Sequence, residues 1–336
     1  MYKKFYGFTE KPFNTTPDSK FFFPSPKHTE ALNSLIYAID QRKGFVVITG
    51  EIGAGKTTVC RTLLNKLEIN TKVAVITNTH LTCKELITEI LDEFQVEYTT
   101  GTKQKLLHQL NKFLIKQLSE DINVVLIIDE AQNLSPLVLE EVRMLSNLET
   151  EKEKLIQIIL LGQPQLKAKL EHPRLEQFKQ RISVHYHIPS LDRQETQGYI
   201  FHRLKLVSSN GVDMFSPKAL DLVFQQSNGI PRIINIICDS ALLSGYVYDT
   251  RKITEKIISE VVKEKDLKQT KEVSFQEPLS NTQSEHVKIF CCSDCNQDDK
   301  CETRLVKRSK GEEELCCSSC QDFKRCQSNV KKIDSN

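Results

Sequence analysis

Long apolar runs are missing from this 336-residue sequence: the longest, Val124 to Ile128 and Leu155 to Leu161, fall far short of the roughly 20 residues a membrane helix needs. The N-terminus, Met1 to Tyr6 running into Thr9, Glu10, Lys11 and Pro12, lacks the apolar stretch of about 7–15 residues that marks a secretory signal. Both absences predict a cytoplasmic chain. Charge of one sign is missing too. Lys+Arg 46 against Asp+Glu 44 leaves a formal charge of +2, which removes nucleic acid and anionic lipid as default partners of the whole surface. The cytosol keeps thiols reduced, so the eleven cysteines call for a reason other than secreted disulfides.

Those cysteines mark the domain plan. Cys60, Cys83 and Cys238 are scattered, whereas the other eight lie between Cys291 and Cys326. Residues 267–288 are polar and without helical or strand periodicity, as in a flexible linker. Upstream, apolar runs at Phe45 to Thr49, Val73 to Thr77, Val124 to Ile128, Ile156 to Leu161 and Val184 to Ile188 alternate with amphipathic stretches. That alternation predicts an α/β fold with a five-stranded, mostly parallel sheet, the middle three runs being buried on both faces. After Ile188 only helical signals remain: N-caps at Asp192 and Ser216, Pro217 at a first helical position, and helical spacing over Ile253 to Val262. The predicted units are an α/β core over 1–189, a helical lid over 190–266, the linker 267–288, a Cys-rich segment 289–327 and a disordered tail 328–336.

Gly50-Glu51-Ile52-Gly53-Ala54-Gly55-Lys56-Thr57, followed by Thr58, fits the phosphate-loop pattern between a strand and a helix. Such a loop turns backbone N–H groups onto phosphate oxygens, Lys56 reaches the β/γ-phosphates and Thr57 ligates Mg²⁺. Asp129 and Glu130 close the strand Val124 to Ile128, a Walker B pattern in which Asp129 faces the metal and Glu130 polarises an attacking water. Gln163 ends the next strand, where a γ-phosphate sensor would sit; a plain turn residue is the alternative. Arg174 and Arg181, seven residues apart, fall on one helical face. Either is a candidate arginine finger for a neighbouring subunit, Arg181 ahead because it leads into the last strand. Arg232, in the first turn of a later helix, sits where the helix dipole disfavours a cation. A γ-phosphate or an ion pair with Asp239 would satisfy it.

In this order the features resemble the AAA+ ATPases, and more narrowly the general secretion pathway protein A type, including secretion ATPases of exosortase (PEP-CTERM) and exopolysaccharide loci. The likeness takes in Tyr6-Gly7-Phe8, Pro12-Phe13, Thr16-Pro17-Asp18, Phe21 to Phe23, Ser25, Pro26 and His28. It continues through GFVVITGEIGAGKTT (44–58), IIDEAQNL (127–134), LEEVRMLSNLET (139–150), LLGQPQL (160–166) and NGIPRIINIICDSALLSGY (228–246). The resemblance implies a P-loop core with a helical lid, ATP and Mg²⁺ as ligands, ATP hydrolysis, ATP-dependent homo-oligomers and an envelope or secretion-apparatus partner that recruits the chain to the inner face of the membrane. Members of that type often continue into a membrane helix and a periplasmic region, whereas this chain continues into the linker and cysteines. A nucleic-acid-associated AAA+ switch with a zinc-finger tail is the alternative, although residues 268–336 carry no basic stripe.

The cysteines repeat with a period of 25 residues as C-C-x-x-C-x₅-C. Cys292, Cys295, Cys317 and Cys320 stand near the spacing of a four-thiolate zinc ribbon. A redox-sensitive tail without metal and an iron–sulfur cluster are the other readings.

Overall fold

The structure, a computed structural model, describes residues 2–150, 153–208 and 213–264. The chain divides into two units, Met1–Thr270 and Lys271–Asn336, and every described residue belongs to the first. The expected linker, the Cys-rich segment with Cys292, Cys295, Cys317 and Cys320, and the tail lie outside the described residues.

The strands β1 (Phe45–Gly50), β2 (Thr71–Ile76), β3 (Asn123–Ile128), β4 (Gln157–Gly162) and β5 (Ile182–Ile188) form one parallel sheet in the order β2-β3-β4-β1-β5. Helices α1 (Tyr2–Tyr6) and α2 (Pro26–Asp40) precede β1. Parallel neighbours need long crossovers, and the helices between strands supply them: α3 (Lys56–Leu64), α4 (Cys83–Glu93), α5 (Lys103–Ser119), α6 (Pro136–Leu145), α7 (Pro164–Leu170) and α8 (Glu176–Lys179). Beyond the sheet come α9 (Arg193–Val207), α10 (Pro217–Ser227), α11 (Pro231–Val247) and α12 (Glu255–Glu264).

Successive strand residues point to opposite faces, and the core divides accordingly. Phe45 and Val47 of β1, with Leu126 of β3 and Leu160 of β4, pack under α4, α5 and α6. Val46 and Ile48, with Val125, Ile127 and Ile159, pack under α2 and α3. One expectation about burial is corrected here. The strands sealed on both faces are β1, β3 and β4, while β2 is buried only at Ala74 and Ile76. Its run is apolar enough for an interior strand, but β2 is an edge strand, whereas β1 lies between β4 and β5.

A separate apolar cluster joins α9 to α12. Asp192 forms a reciprocal capping box with Glu195 at the start of α9, and Ser216 caps α10 ahead of Pro217, each cap contributing about 1 kcal/mol. Ile253 precedes the last helix and pairs with Phe215 in an isolated bridge. The N-terminal residues expected to belong with the sheet, Tyr2, Tyr6, Phe8, Phe13 and Phe21, bury their rings in this helical cluster. Residues 173–181 do not form one helix. A 3₁₀ turn, Pro173–Leu175, is followed by the four-residue α8, because the chain must bury Phe178 against Phe45, with ring centroids 4.7 Å apart, and then enter β5. Arg174 and Arg181 therefore share no helical face.

Candidate active site

β1 ends at Gly50 and α3 begins at Lys56, so residues 51–55 form the loop between them. Two of its glycines have conformations that exclude a side chain. Gly53 has φ +81°, and a Cβ there would lie 2.5 Å from Cβ of Arg232; Gly55 has φ +102°, with His28 Nε2 3.0 Å from where a Cβ would stand. The ammonium of Lys56 donates to the carbonyls of Gly50 at 2.8 Å and Glu51 at 3.0 Å. Burial pushes its pKa down, and the carboxylates of Glu130, Asp129 and Glu51 push it back. Ile52 projects outward, 58% exposed, whereas Ala54 is buried. Thr58 joins Ile52 on the wall of the adjoining cavity.

Thr57 and Asp129, 72 positions apart, meet at the carboxyl end of the sheet: Thr57 Oγ1 donates to Asp129 Oδ2 at 3.1 Å, and Asp129 Oδ1 accepts from the N–H of Glu130 at 2.9 Å. A hydroxyl and a carboxylate at the mouth of a helix N-terminus are hard oxygen donors, which suits Mg²⁺. Glu130 sits in the left-handed region at φ +51° and opens a 3₁₀ turn, Ala131–Asn133. Its Oε2 accepts from Gln132 Nε2 at 2.6 Å and from Gln163 Nε2 at 3.3 Å. Gln132 Oε1 in turn accepts from the N–H of Gln163 at 3.0 Å. Sequence reading put Glu130 and Gln163 on neighbouring strand ends but missed Gln132 between them, whose only signal was a polar residue two positions after the acidic pair.

His28 was also missed as a functional residue. Its Nε2 donates to the carbonyl of Ala54 at 2.8 Å, and Nδ1 accepts from Ser25 Oγ at 2.8 Å, which ties the N-terminal segment to the phosphate loop. Burial lowers its pKa from the ordinary 6.5 and favours this neutral form.

Arg232, at the start of α11, donates its backbone N–H to the carbonyl of Gly53 at 3.3 Å. It has no ion-pair partner among the described residues, and Asp239 instead accepts from the hydroxyl of Tyr2. Arg232, Lys56, Thr57 and Glu130 line one cavity of about 300 Å³, whose wall also includes residues of the N-terminal segment and α9. Arg181 is elsewhere. It immediately precedes β5, whose last residue, Ile188, pairs with Gly50, so the strand sets it about 20 Å from the phosphate loop of its own chain. Its Nη1 donates to Ser146 Oγ at 3.1 Å.

An AAA domain model matches residues 39–170, the stretch that carries Lys56, Thr57, Asp129, Glu130 and Gln163. Over 260 residues the chain is 43% identical to the general secretion pathway protein A of Aeromonas hydrophila, covering 77% of this chain. The chain is an AAA+ protein of the general secretion pathway protein A type. It spans about half the length of that relative, 47%. Solved AAA+ neighbours share the fold at low identity. The Cdc6p of Pyrobaculum aerophilum superposes with a TM-score of 0.59 at 17% identity, covering 94% of this chain and 90% of that one. The ORC1 protein of Aeropyrum pernix, solved in complex with DNA, gives 0.57 at 16% identity, covering 76% and 69%. Among the described residues of this AAA+ chain no helix is long and apolar enough to cross a membrane.

Proposed function

We propose that this chain is an Mg²⁺-dependent ATPase that binds and hydrolyses ATP to drive or regulate assembly of a secretion or exopolysaccharide-export apparatus. The observation that carries the catalytic half is the convergence of Lys56, Thr57, Asp129 and Glu130 at one mouth of the sheet. Lys56 exchanges its two carbonyl partners for phosphate oxygens, and Thr57 and Asp129 hold Mg²⁺, which when bound neutralises charge on the phosphates. Glu130, whose Oε1 has no hydrogen-bond partner among the described residues, takes a proton from the attacking water. Gln163 and Arg232 sense the terminal phosphate from the β4 end and from the lid. The 43% identity supports the secretion half, with a homo-oligomer on the cytoplasmic face and an envelope protein as partner. The C-x-x-C spacing supports zinc at Cys292, Cys295, Cys317 and Cys320, to be tested by metal analysis of the full chain against one cut at residue 270.

A nucleic-acid switch is the second reading. Helix α5 carries four lysines and no acid, but Lys103 pairs with Glu141 and Lys116 with Glu120, so the helix offers two lysines without an ion-pair partner among the described residues rather than a stripe for phosphates.

The deciding experiment pairs two variants. Lys56→Ala abolishes tight ATP binding, because it removes the cation from the ground-state phosphates. Glu130→Gln keeps binding and stops turnover, because it removes only the base. Equal turnover by Glu130→Gln and wild type overturns the mechanism.

A further inference from the structure

Glu130 holds a backbone conformation, φ 51° and ψ 37°, that is costly for any residue but glycine and persists only where the surroundings impose it. On the strand side it is fixed by Asp129, whose N–H donates to the carbonyl of Ile76 at 2.9 Å and whose Oδ1 accepts from the N–H of Glu130 at 2.9 Å. On the other side the chain closes the turn Ala131–Asn133. There the N–H of Asn133 donates to the carbonyl of Glu130 at 3.0 Å, and that of Leu134 to the carbonyl of Ala131 at 3.2 Å. The carbonyls of Gln132 and Leu134 are left outside that pattern.

Both accept from one side chain. Lys169 Nζ donates to the carbonyl of Gln132 at 2.6 Å and to that of Leu134 at 2.9 Å, across 37 and 35 positions. Among the described residues neither carbonyl has another donor. Leu134 is fully buried, and a buried carbonyl without a donor is costly. Lys169 lies in the last turn of α7, where the helix dipole favours a cation, and both of its hydrogen bonds among the described residues go to this one turn. The start of α7 meets the same turn, through the N–H of Gln163 on Gln132 Oε1 at 3.0 Å. The approach leaves no room at Gly162, where a Cβ would lie 2.7 Å from Leu166 Cδ2 and 3.0 Å from Gln132 Oε1. Helix α7 is thus clamped to the turn at both ends.

We propose that Lys169 is a positioning residue for hydrolysis: by holding the carbonyls of Gln132 and Leu134, its ammonium keeps the turn behind Glu130 closed and the carboxylate aimed at the attacking water. The role rests on hydrolysis through Glu130, as proposed above, and adds to it a cation that does not line the nucleotide cavity. A reacting group displaced by about 1 Å loses on the order of a hundred-fold in rate. A clamp on its backbone is therefore felt in turnover rather than in binding.

Turnover and ATP affinity of the full chain with Mg²⁺ read the two apart. Lys169→Met keeps the unbranched stem and removes the donor; it lowers kcat by about ten-fold or more, the loss expected for a charged hydrogen bond, and leaves ATP affinity within about two-fold. Lys169→Arg, which can donate to both carbonyls, recovers most of the rate. In a Glu130→Gln background Lys169→Met costs nothing further in the single-turnover rate, because a residue that acts through Glu130 has nothing left to position. Equal falls in turnover and affinity, an unchanged kcat, or a full loss added to that of Glu130→Gln each overturn the proposal. Lys169→Gln, one atom shorter and uncharged, reads the same split if Lys169→Met does not fold: slower turnover at unchanged affinity is expected, and wild-type turnover overturns it. Glu130→Gln as active as the wild type removes the hydrolysis reading itself, a result separate from any at Lys169.

Discussion

Gln132 holds Glu130 through one end of its amide and the start of α7 through the other: Nε2 donates to Glu130 Oε2 at 2.6 Å, and Oε1 accepts from the N–H of Gln163 at 3.0 Å. The amide spans two strand ends, so the carboxylate and the sensor candidate cannot move independently. Gln132→Ala frees the Glu130 side chain to rotate about the left-handed turn it occupies. Turnover is expected to drop about ten-fold, equivalent to about 1.4 kcal/mol of transition-state positioning, with little change in ATP affinity. Single-turnover rates beside equilibrium binding read the two separately; an unchanged rate shows that the bridge is structural only.

A finger role for Arg181 implies a shared active site. At the amino end of β5 it cannot reach the nucleotide of its own chain, so a finger role requires a neighbour. Activity per chain should rise with protein concentration, and Arg181→Ala should lower turnover by about a hundred-fold or more while sparing nucleotide binding. Mixing Arg181→Ala with Glu130→Gln restores activity only where one subunit contributes the finger and its neighbour the base. Full, concentration-independent activity in a strictly monomeric chain rules the role out.

The strands and the meeting of the phosphate-loop and acidic residues were legible because each rests on a local pattern. Apolar runs gave the strands, and Lys56, Thr57, Asp129 and Glu130 stand in contiguous motifs beside strand ends. What escaped depends on distance in sequence. Nothing local tells that β2 lies at an edge and β1 inside, since strand order is set by crossovers. The seven-residue spacing of Arg174 and Arg181 suggested one helix, and the need to bury Phe178 before β5 broke it. His28 reaches Ala54 across 26 positions, and Lys169 reaches Gln132 across 37. Side chains that act by bridging separate elements leave no periodic trace. The aromatic N-terminal residues were noticed for their resemblance, but their partner, the helical cluster, lies some 200 positions away.

The bridge from His28 to the phosphate loop predicts a pH dependence. Burial lowers the His28 pKa below 6.5, so the neutral ring, with Nε2 donating to Ala54, is the folded form. Its contribution is complete above pH 6.5, the unfolded value, and is lost as pH falls toward the lower folded value. Stability of the wild type should therefore decline below about pH 6.5, and His28→Gln should lose that part of the decline. At neutral pH His28→Ala should weaken ATP by several-fold, about 1 kcal/mol, through a looser loop. Urea unfolding at a series of pH values, with ATP titrations alongside, checks both. A pH profile identical in wild type and His28→Gln sinks the assignment.

The N-terminal segment should behave as part of the lid. Phe13 is 1% exposed and meets Phe215 edge-on, with ring centroids 6.3 Å apart, while Tyr2 binds Asp239 and Tyr6 donates to the carbonyl of Thr250. Phe13→Ala removes a fully enclosed ring from the helical cluster, a loss of about 3–5 kcal/mol where the cavity does not collapse. The sheet has its own clusters on both faces, neither of which contains Phe13. Damage should therefore concentrate in α9 to α12. Hydrogen exchange is expected to accelerate across Arg193–Val207 and Pro231–Val247 and to change little across Asn123–Ile128. Because the same segment lines the nucleotide cavity, ATP affinity should fall with lid protection, and added ATP should slow exchange in the lid of the wild type. Uniform acceleration over sheet and lid alike would show that Phe13 supports the whole unit rather than the lid.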